Sequence, residues 1–222
     1  MAIFFTSDTH FYHRNIIEYC TRPYRTLDGQ PDVPAMNEAL VANWNKVVGK
    51  DDVVYHLGDF GFGSPAKLLE ARKQLNGKII LIKGNHDSKP NRWLLKGDEV
   101  HDCLMVGTVF MTHAPPIENP FDNYRKIRIN PVPKEATVIL CGHVHEKWID
   151  KVYVSEGRAR GVYNVGVDVC GMAPTALADA LSWLKDAWEA KLECPPAAHN
   201  FLDGECLKCG FIKPDEKGWQ NK

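Results

Sequence analysis

The chain has 222 residues, 44% hydrophobic and 25% charged, with a formal net charge of -1. That composition predicts an ordinary soluble globular protein with one sizeable core and a small appendage. Near-neutrality gives no general attraction to polyanions, so nucleic acid is not indicated as a bulk partner and any hold on phosphate must come from a local cluster or bound metal.

In chain order, Ala2 to Ser7 reads as a strand and Phe11 to Tyr19 as a short helix. Cys20 to Pro34, rich in proline and carrying Arg22, Tyr24 and Arg25, reads as a surface crossing beside a site. Met36, Leu40, Trp44 and Val47 recur at helical spacing from Ala35 to Val48, with Trp44 toward the core. A strand (Asp52 to His56), a helix (Pro65 to Asn76) and a strand from Ile79 continue a strand-helix-strand pattern, which predicts parallel strands and crossover helices. His56 reads as packing. In the second half strands follow one another directly. Val100 to Thr112 reads as two strands split by Gly107, Ala136 to Cys141 as another, and Lys151 to Val169 as a pair. The proline-rich segment Ala114 to Glu135 is too long for a plain connector and is expected to lie over the site. Pro174 is expected to open a helix reaching about Glu193, with Leu177, Leu181, Leu184, Trp188 and Leu192 on one face. No apolar stretch approaches the ~20 residues that span a bilayer, and no leader is evident, which predicts a cytoplasmic protein without a membrane partner.

Five apolar runs each end in His, Asp or Asn. They deliver Asp8 and His10, Asp59, Asn85 with His86 and Asp87, His113, and His143 with His145. If the backbone stays extended, the period-two alternation of a strand puts Asp8 and His10 on one side, and likewise His143 and His145. Such a cluster would be mutually repelling unless cations filled it. Imidazole, carboxylate and one amide, with no thiol, suit manganese, iron, nickel, cobalt or zinc better than calcium. Asp8, His10, Asp59, Asn85, His113, His143 and His145 exceed what one ion needs, and two divalent ions sharing a carboxylate would use them all.

Asp8-x-His10, Gly58-Asp59, Gly84-Asn85-His86-Asp87, His113 and Gly142-His143-x-His145, in that order, resemble the signature motifs of calcineurin-like metallophosphoesterases, especially small prokaryotic and phage-borne members. The resemblance covers roughly Ala2 to Glu193. It implies that Asp8, His10 and His145 hold one metal, that Asn85, His113 and His143 hold the other, and that Asp59 bridges them. His86 would face the substrate phosphate, with Asp87 in support. Asn164-Val165-Gly166 resembles a further feature of the family. The implied fold is α/β, two mixed sheets packed as a sandwich and flanked by helices in a four-layer αββα order. Two departures stand out. Phe60-Gly61-Phe62-Gly63 follows the bridging aspartate where many members carry a further Asp or Arg, and Thr112 precedes His113 where Gly is common. His101 competes for the role of His113, but it starts a strand whereas His113 ends one.

Two metals sharing a water would lower its pKa toward neutrality and clamp phosphoryl oxygens during in-line attack, so the expected activity is phosphoester hydrolysis by a metal-bridging hydroxide. His86 could stabilise developing charge or protonate the leaving oxygen. His13, Arg14 and Asn15, or Arg125, Lys126 and Arg128, are within reach of phosphate oxygens. Phosphodiester or nucleotide substrates, including nucleic-acid-derived ones, are expected ahead of monoesters. A non-catalytic scaffold of the same fold is the alternative from another class. The tail carries Cys194, His199, Cys206 and Cys209, a Cys-x-x-Cys-Gly knuckle that predicts a structural zinc and a possible protein partner. Two units follow, a catalytic domain over 1–193 and a tail over 194–222.

Overall fold

The computed structural model describes residues 1–117, 129–155, 157–176 and 178–180, together with the backbone of 201–202 and 205–206. In chain order the elements are β1 (Ile3–Thr6), α1 (Arg14–Tyr19), α2 (Val33–Val47), β2 (Val53–His56), α3 (Pro65–Gln74), β3 (Lys78–Ile82), β4 (Glu99–His101), β5 (Leu104–Val106), β6 (Val109–Met111), β7 (Val138–Cys141), β8 (Asp150–Ser155), β9 (Arg158–Asn164) and β10 (Thr175–Ala176). A small hairpin pairs β11 (Phe201–Leu202) with β12 (Glu205–Cys206).

Two mixed five-stranded sheets form the molecule. The first runs β10-β1-β2-β3-β4, parallel except for β10. The second runs β5-β6-β7-β9-β8, with β6, β7 and β9 parallel and antiparallel strands at both edges. Period-two alternation sorts the side chains into layers. Phe4, Ile79 and Leu81 join the helices, with Met36, Leu40 and Trp44, on the outer face of the first sheet. Phe5, Ile80 and Ile82 turn the other way and meet Met111, Leu140 and Tyr163 between the sheets. Phe110, Ile139 and Cys141 pack on the far face of the second sheet. Burial on both faces explains why these strands read as continuous apolar runs. Trp44 is fully buried and its indole N–H donates to the Asn76 carbonyl at 3.0 Å, which satisfies the one polar atom it carries.

Helix starts follow from their caps. Asp32 accepts from the Ala35 N–H at 3.0 Å with Pro34 in the first turn, so α2 begins two residues before the spacing of its apolar residues suggests. Ser64 and Pro65 do the same for α3.

Three expectations are corrected. Val100 to Thr112 holds three strand segments, because the chain changes sheets: β4 pairs parallel with β3, whereas β5 and β6 form a hairpin on the second sheet. Pro174 does not open a helix. Thr175–Ala176 pairs antiparallel with β1, covering backbone groups that would otherwise stand at an open sheet edge. Helix is present at 178–180, and the rest of that predicted helix lies outside the described residues, as do the domain boundary at 193/194 and the tail side chains. Finally, the crossing after Cys20 is not all surface: Arg22 is 1% exposed.

Candidate active site

Strands β1, β2, β3, β6 and β7 are followed by the loops that carry the predicted site residues. Asp8, His10, Asp59, His143 and His145 sit at φ of 57, 50, 57, 73 and 49°. Their backbone is therefore left-handed, which corrects the expectation of extended alternation: tight turns just beyond the strands, and not the pleat, bring the Asp8 and His10 pair and the His143 and His145 pair together. Each such residue costs about 1–2 kcal/mol, so the conformations persist only where surrounding contacts over-determine them.

Those contacts begin with backbone donors. The His143 N–H donates to Asp8 Oδ2 at 2.8 Å and the His86 N–H donates to Asp59 Oδ1 at 2.9 Å. Glycine is required for both approaches, since a Cβ at Gly142 would overlap Ser7 Oγ and Asp8 Oδ2, and one at Gly84 would overlap Asp59 Oδ1. Each carboxylate thus has one oxygen anchored and the other turned to imidazoles. Asp8 Oδ1 lies 3.9 Å from His10 Nε2 and 4.0 Å from His145 Nε2. Asp59 Oδ2 lies 3.5 Å from His113, 3.7 Å from His10 and 3.8 Å from His86, each to Nε2.

The ligand atoms fall into two groups, Asp8 with His10 and His145, and Asp59 with His113 and His143, each set lying within 4.8 Å of one another. Asn85 joins the second group through its Oδ1, 3.0 Å from His113 Nε2. Asp59 sits between the two, within reach of His10 as well as His113. Asp8 Oδ1 and both ring nitrogens of His10 are buried without a hydrogen-bond partner. Unpartnered buried polar atoms are rare, and a cation filling the centre would satisfy Asp8 Oδ1 and His10 Nε2, which face each other there. The donor set fits divalent transition metals by this test.

The electrostatics reflect the same crowding. Burial opposes ionisation of Asp8, but the imidazoles of His145, His113 and His10 outweigh it and hold the carboxyl below its ordinary range. For Asp59 burial wins, helped by Asp8 and Asp87, and pushes its pKa up to about 7. Burial holds His10 well below the usual imidazole range, and burial with the neighbouring His113 brings His143 to about 4. Burial opposes charge on His145 too, but Asp8 and a bonded carboxylate raise it to about 11.

That carboxylate is Asp168, which the motifs did not reveal. It accepts from His145 Nδ1 at 2.8 Å and forms a two-pronged ion pair with Arg22, at 2.7 Å from Nε and 3.0 Å from Nη2. Arg22 also donates to the carbonyls of Asp8 and Thr9 at 2.8 and 3.0 Å. The ion pair thereby holds the loop of the first motif and the ring of the last. Cys20, His145 and Asp168 also lie close enough to hold a metal. Arg22 occupies both Asp168 oxygens, so this cluster supports the first group. On the other side His113 Nδ1 donates to the Leu57 carbonyl at 2.7 Å, which turns Nε2 toward Asn85 Oδ1 and Asp59.

The remaining predicted residues are distributed as follows. Asp87 accepts from the backbone N–H groups of Asp59, Phe60 and Gly84 at 2.7, 3.0 and 2.8 Å, so its carboxylate clamps two motif loops together. Asn164 donates to the His145 and Trp148 carbonyls and accepts from the Gly166 N–H, pinning the last motif. His86 is partly exposed over Asp59. His13 stacks on Phe62 at 3.9 Å, and Phe62 also meets the rings of His86 and His10. The Phe-Gly-Phe-Gly departure therefore supplies an aromatic face to the site. Arg14 donates to Gln30 and Asn15 to Tyr19 on the exposed side of α1. His101 pairs with Glu99 on β4, away from the cluster. His56 is packing, as expected: it is fully buried between Thr9 and the Gly58 N–H. Cys194, His199 and Cys209, and the Cys206 side chain, lie outside the described residues, as do Arg125, Lys126 and Arg128.

Residues 1–167 match the calcineurin-like phosphoesterase superfamily domain. The chain belongs to this superfamily. The general chemistry of calcineurin-like phosphoesterases is metal-dependent hydrolysis of phosphoesters. It is 33% identical over 177 residues to an uncharacterized protein of Methanocaldococcus jannaschii, covering 79% of this chain and 86% of the relative. It is also 35% identical over 169 residues to the Gene 66 protein of Mycobacterium phage D29, covering 66% and 80% of the two chains. A crystal structure of a protein of unknown function from Aquifex aeolicus shares the fold, with a TM-score of 0.57, 24% identity, and coverage of 82% of this chain and 98% of that one. Among the described residues no helix is long and apolar enough to cross a membrane.

Proposed function

We propose that this calcineurin-like phosphoesterase hydrolyses phosphodiester bonds of nucleotides or nucleic-acid-derived substrates at a centre for two metal ions. Asp8, His10 and His145 would hold one ion, Asn85, His113 and His143 the other, and Asp59 both. The observation that carries the reading is the pair of ligand groups either side of Asp59, with Asp8 Oδ1 and both His10 nitrogens buried and unpartnered. When bound, the ions supply Lewis acidity toward phosphoryl oxygens and acidify water to a nucleophile near neutral pH. The chain supplies the rest. His86, above Asp59 and partly open to solvent, donates to a phosphoryl oxygen and delivers a proton to the leaving oxygen. Asp87 holds the Gly84 to Asp87 turn against the Asp59 loop, which sets the height of that imidazole. His13, on the Phe62 ring, borders the substrate side.

The diester preference rests on a cavity lined by Asn85 and His86 that extends along Phe62, Leu68, Lys89 and Arg92, room for a group on the far side of the scissile phosphorus. The test is hydrolysis of p-nitrophenyl phosphate and bis(p-nitrophenyl) phosphate by metal-stripped protein resupplied with manganese, nickel or zinc. We expect turnover of the diester that requires added metal and drops about 10²–10⁴-fold in His86→Ala. Metal-dependent turnover of the monoester alone would replace the reading with a monoesterase. No metal-dependent turnover of either would leave the scaffold reading. The tail is read separately as a structural zinc module on Cys194, His199, Cys206 and Cys209. One zinc per chain that survives Asp59→Asn and is lost in Cys206→Ser/Cys209→Ser would support it.

A further inference from the structure

A cavity of about 470 Å³ opens beside the centre, within the size range of small-molecule sites. Asn85 and His86 form the end nearest the ligand groups, so the cavity is continuous with the place where a phosphorus would react. One wall is apolar, built from Phe62 and the buried Leu68 of α3. Another part of the lining carries Lys89 and Arg92. Neither cation has an ion-pair partner among the described residues, and no acidic residue lines the cavity.

The cationic wall is also held in place. Lys89 sits in the left-handed region at φ 53°, immediately before a single 3-10 turn over Pro90–Arg92. Pro90 is buried, and Trp93 is buried and stacked on Phe60 at 4.4 Å with an interplanar angle of 17°. Phe60 follows Asp59 directly. The backbone of the segment bearing Lys89 and Arg92 is thus braced against the same loop that carries the central carboxylate, which keeps both residues on the cavity beside His86.

We infer that this cavity is a subsite for a second phosphoryl group, so that the preferred substrate is a phosphodiester whose departing alcohol is itself phosphorylated, as in a phosphorylated nucleoside. The inference deepens the proposed function and rests on it for the position of the scissile phosphorus beside His86. The bond broken is the one from that phosphorus to the alcohol oxygen, which takes up a proton. The oxygen of water bonds to phosphorus in its place, and the second phosphate leaves intact on the alcohol. Guanidinium and ammonium donors on one wall suit a dianionic phosphate, and the apolar wall suits the sugar and base between the two phosphates.

The test is calorimetric binding to manganese-loaded full-length protein, which does not depend on turnover. The probes are thymidine 3′,5′-bisphosphate, thymidine 5′-monophosphate and thymidine 3′-monophosphate. The bisphosphate should bind at least about tenfold tighter than either monophosphate, the scale expected of charge-assisted contacts to a second phosphate. That advantage should shrink to under about threefold in Lys89→Ala/Arg92→Ala, and should persist in Lys46→Ala, which removes one charge from α2 instead. Equal binding of the three probes, no binding of any, or an advantage that survives the double substitution overturns the subsite. The two ideas fail separately. A retained bisphosphate advantage without metal-dependent turnover of bis(p-nitrophenyl) phosphate would overturn the proposed function, and with it the substrate, while the second-phosphate contact stands; diester turnover without the advantage would overturn only the subsite.

Discussion

The two halves of the centre are built differently although their ligand types are nearly the same. In the half formed by Asp8, His10 and His145, the last imidazole is backed by Asp168, and Asp168 is locked by the buried guanidinium of Arg22. In the half formed by Asp59, Asn85, His113 and His143, the equivalent backing of His113 is a neutral backbone carbonyl, that of Leu57. Either partner fixes the tautomer, and the charged carboxylate raises the basicity of the imidazole more than a neutral carbonyl does. The first half should therefore be the tighter metal position. Under the proposed function, that difference would give two neighbouring ions unequal environments through the residues behind the imidazoles.

The largest expected effect comes from breaking both halves at once. Asp59→Asn removes the carboxylate that lies 3.7 Å from His10 and 3.5 Å from His113, and metal-dependent diester turnover should fall by about 10³-fold or more, several kcal/mol of transition-state stabilisation. Metal content, measured alongside, should drop below two ions per chain. Next is the support of the first half. Arg22→Ala leaves Asp168 as a buried charge without its partner, so we expect a loss of about 3–5 kcal/mol in urea unfolding. Asp168→Asn keeps the shape but removes the charge. It should weaken one of two manganese binding steps by about 10–100-fold and leave the other within threefold, a split that titration calorimetry resolves. Equal weakening of both steps would remove the asymmetry between the halves.

A smaller effect concerns what joins them. His56 accepts the Gly58 N–H at Nδ1, so its Nε2 carries the proton and donates to Thr9, tying the loop of Asp59 to the loop of Asp8 and His10. Burial pushes its pKa down to about 3 in the fold, from near 6.5 when unfolded. Protonation therefore favours the unfolded chain. The contribution of His56 is complete above pH 6.5 and is lost at about 1.4 kcal/mol per unit as pH falls below that value. Urea unfolding of metal-stripped protein between pH 6.5 and 5 should show a slope steeper by about one proton in the wild type than in His56→Gln. The smallest effect belongs to Arg14, whose guanidinium is exposed and bonded to Gln30. Arg14→Ala should change stability by under about 0.5 kcal/mol and diester kcat/KM by under about threefold. A larger fall in kcat/KM would place Arg14 on the substrate.

The ligand cluster was legible because it is local at each point. An apolar run followed by Asp-x-His, Gly-Asp, Gly-Asn-His-Asp or Gly-His-x-His announces a buried strand ending in groups that bury poorly alone, and five such runs in one chain call for a common centre. The strand-helix alternation likewise announced parallel strands, and the fold has them. Sequence patterning also placed Trp44 and His56 in the interior.

Tertiary structure alone decided the rest, because the deciding contacts join residues far apart in the chain. Arg22 and Asp168 are 146 positions apart, and neither lies in a periodic segment that would signal burial. Asp87, read from its motif as support for its neighbour His86, instead binds backbone 27 and 28 positions away. The pleat that was expected to aim Asp8 and His10 gave way to left-handed turns, since glycines at 84 and 142 let neighbouring loops approach closely enough to bond the carboxylates. Pro174 failed to start a helix because the edge of β1 claimed the next two residues. Sequence determined which groups must meet, through burial and charge; the packing of loops against one another determined how each is held, and which residues stand behind it.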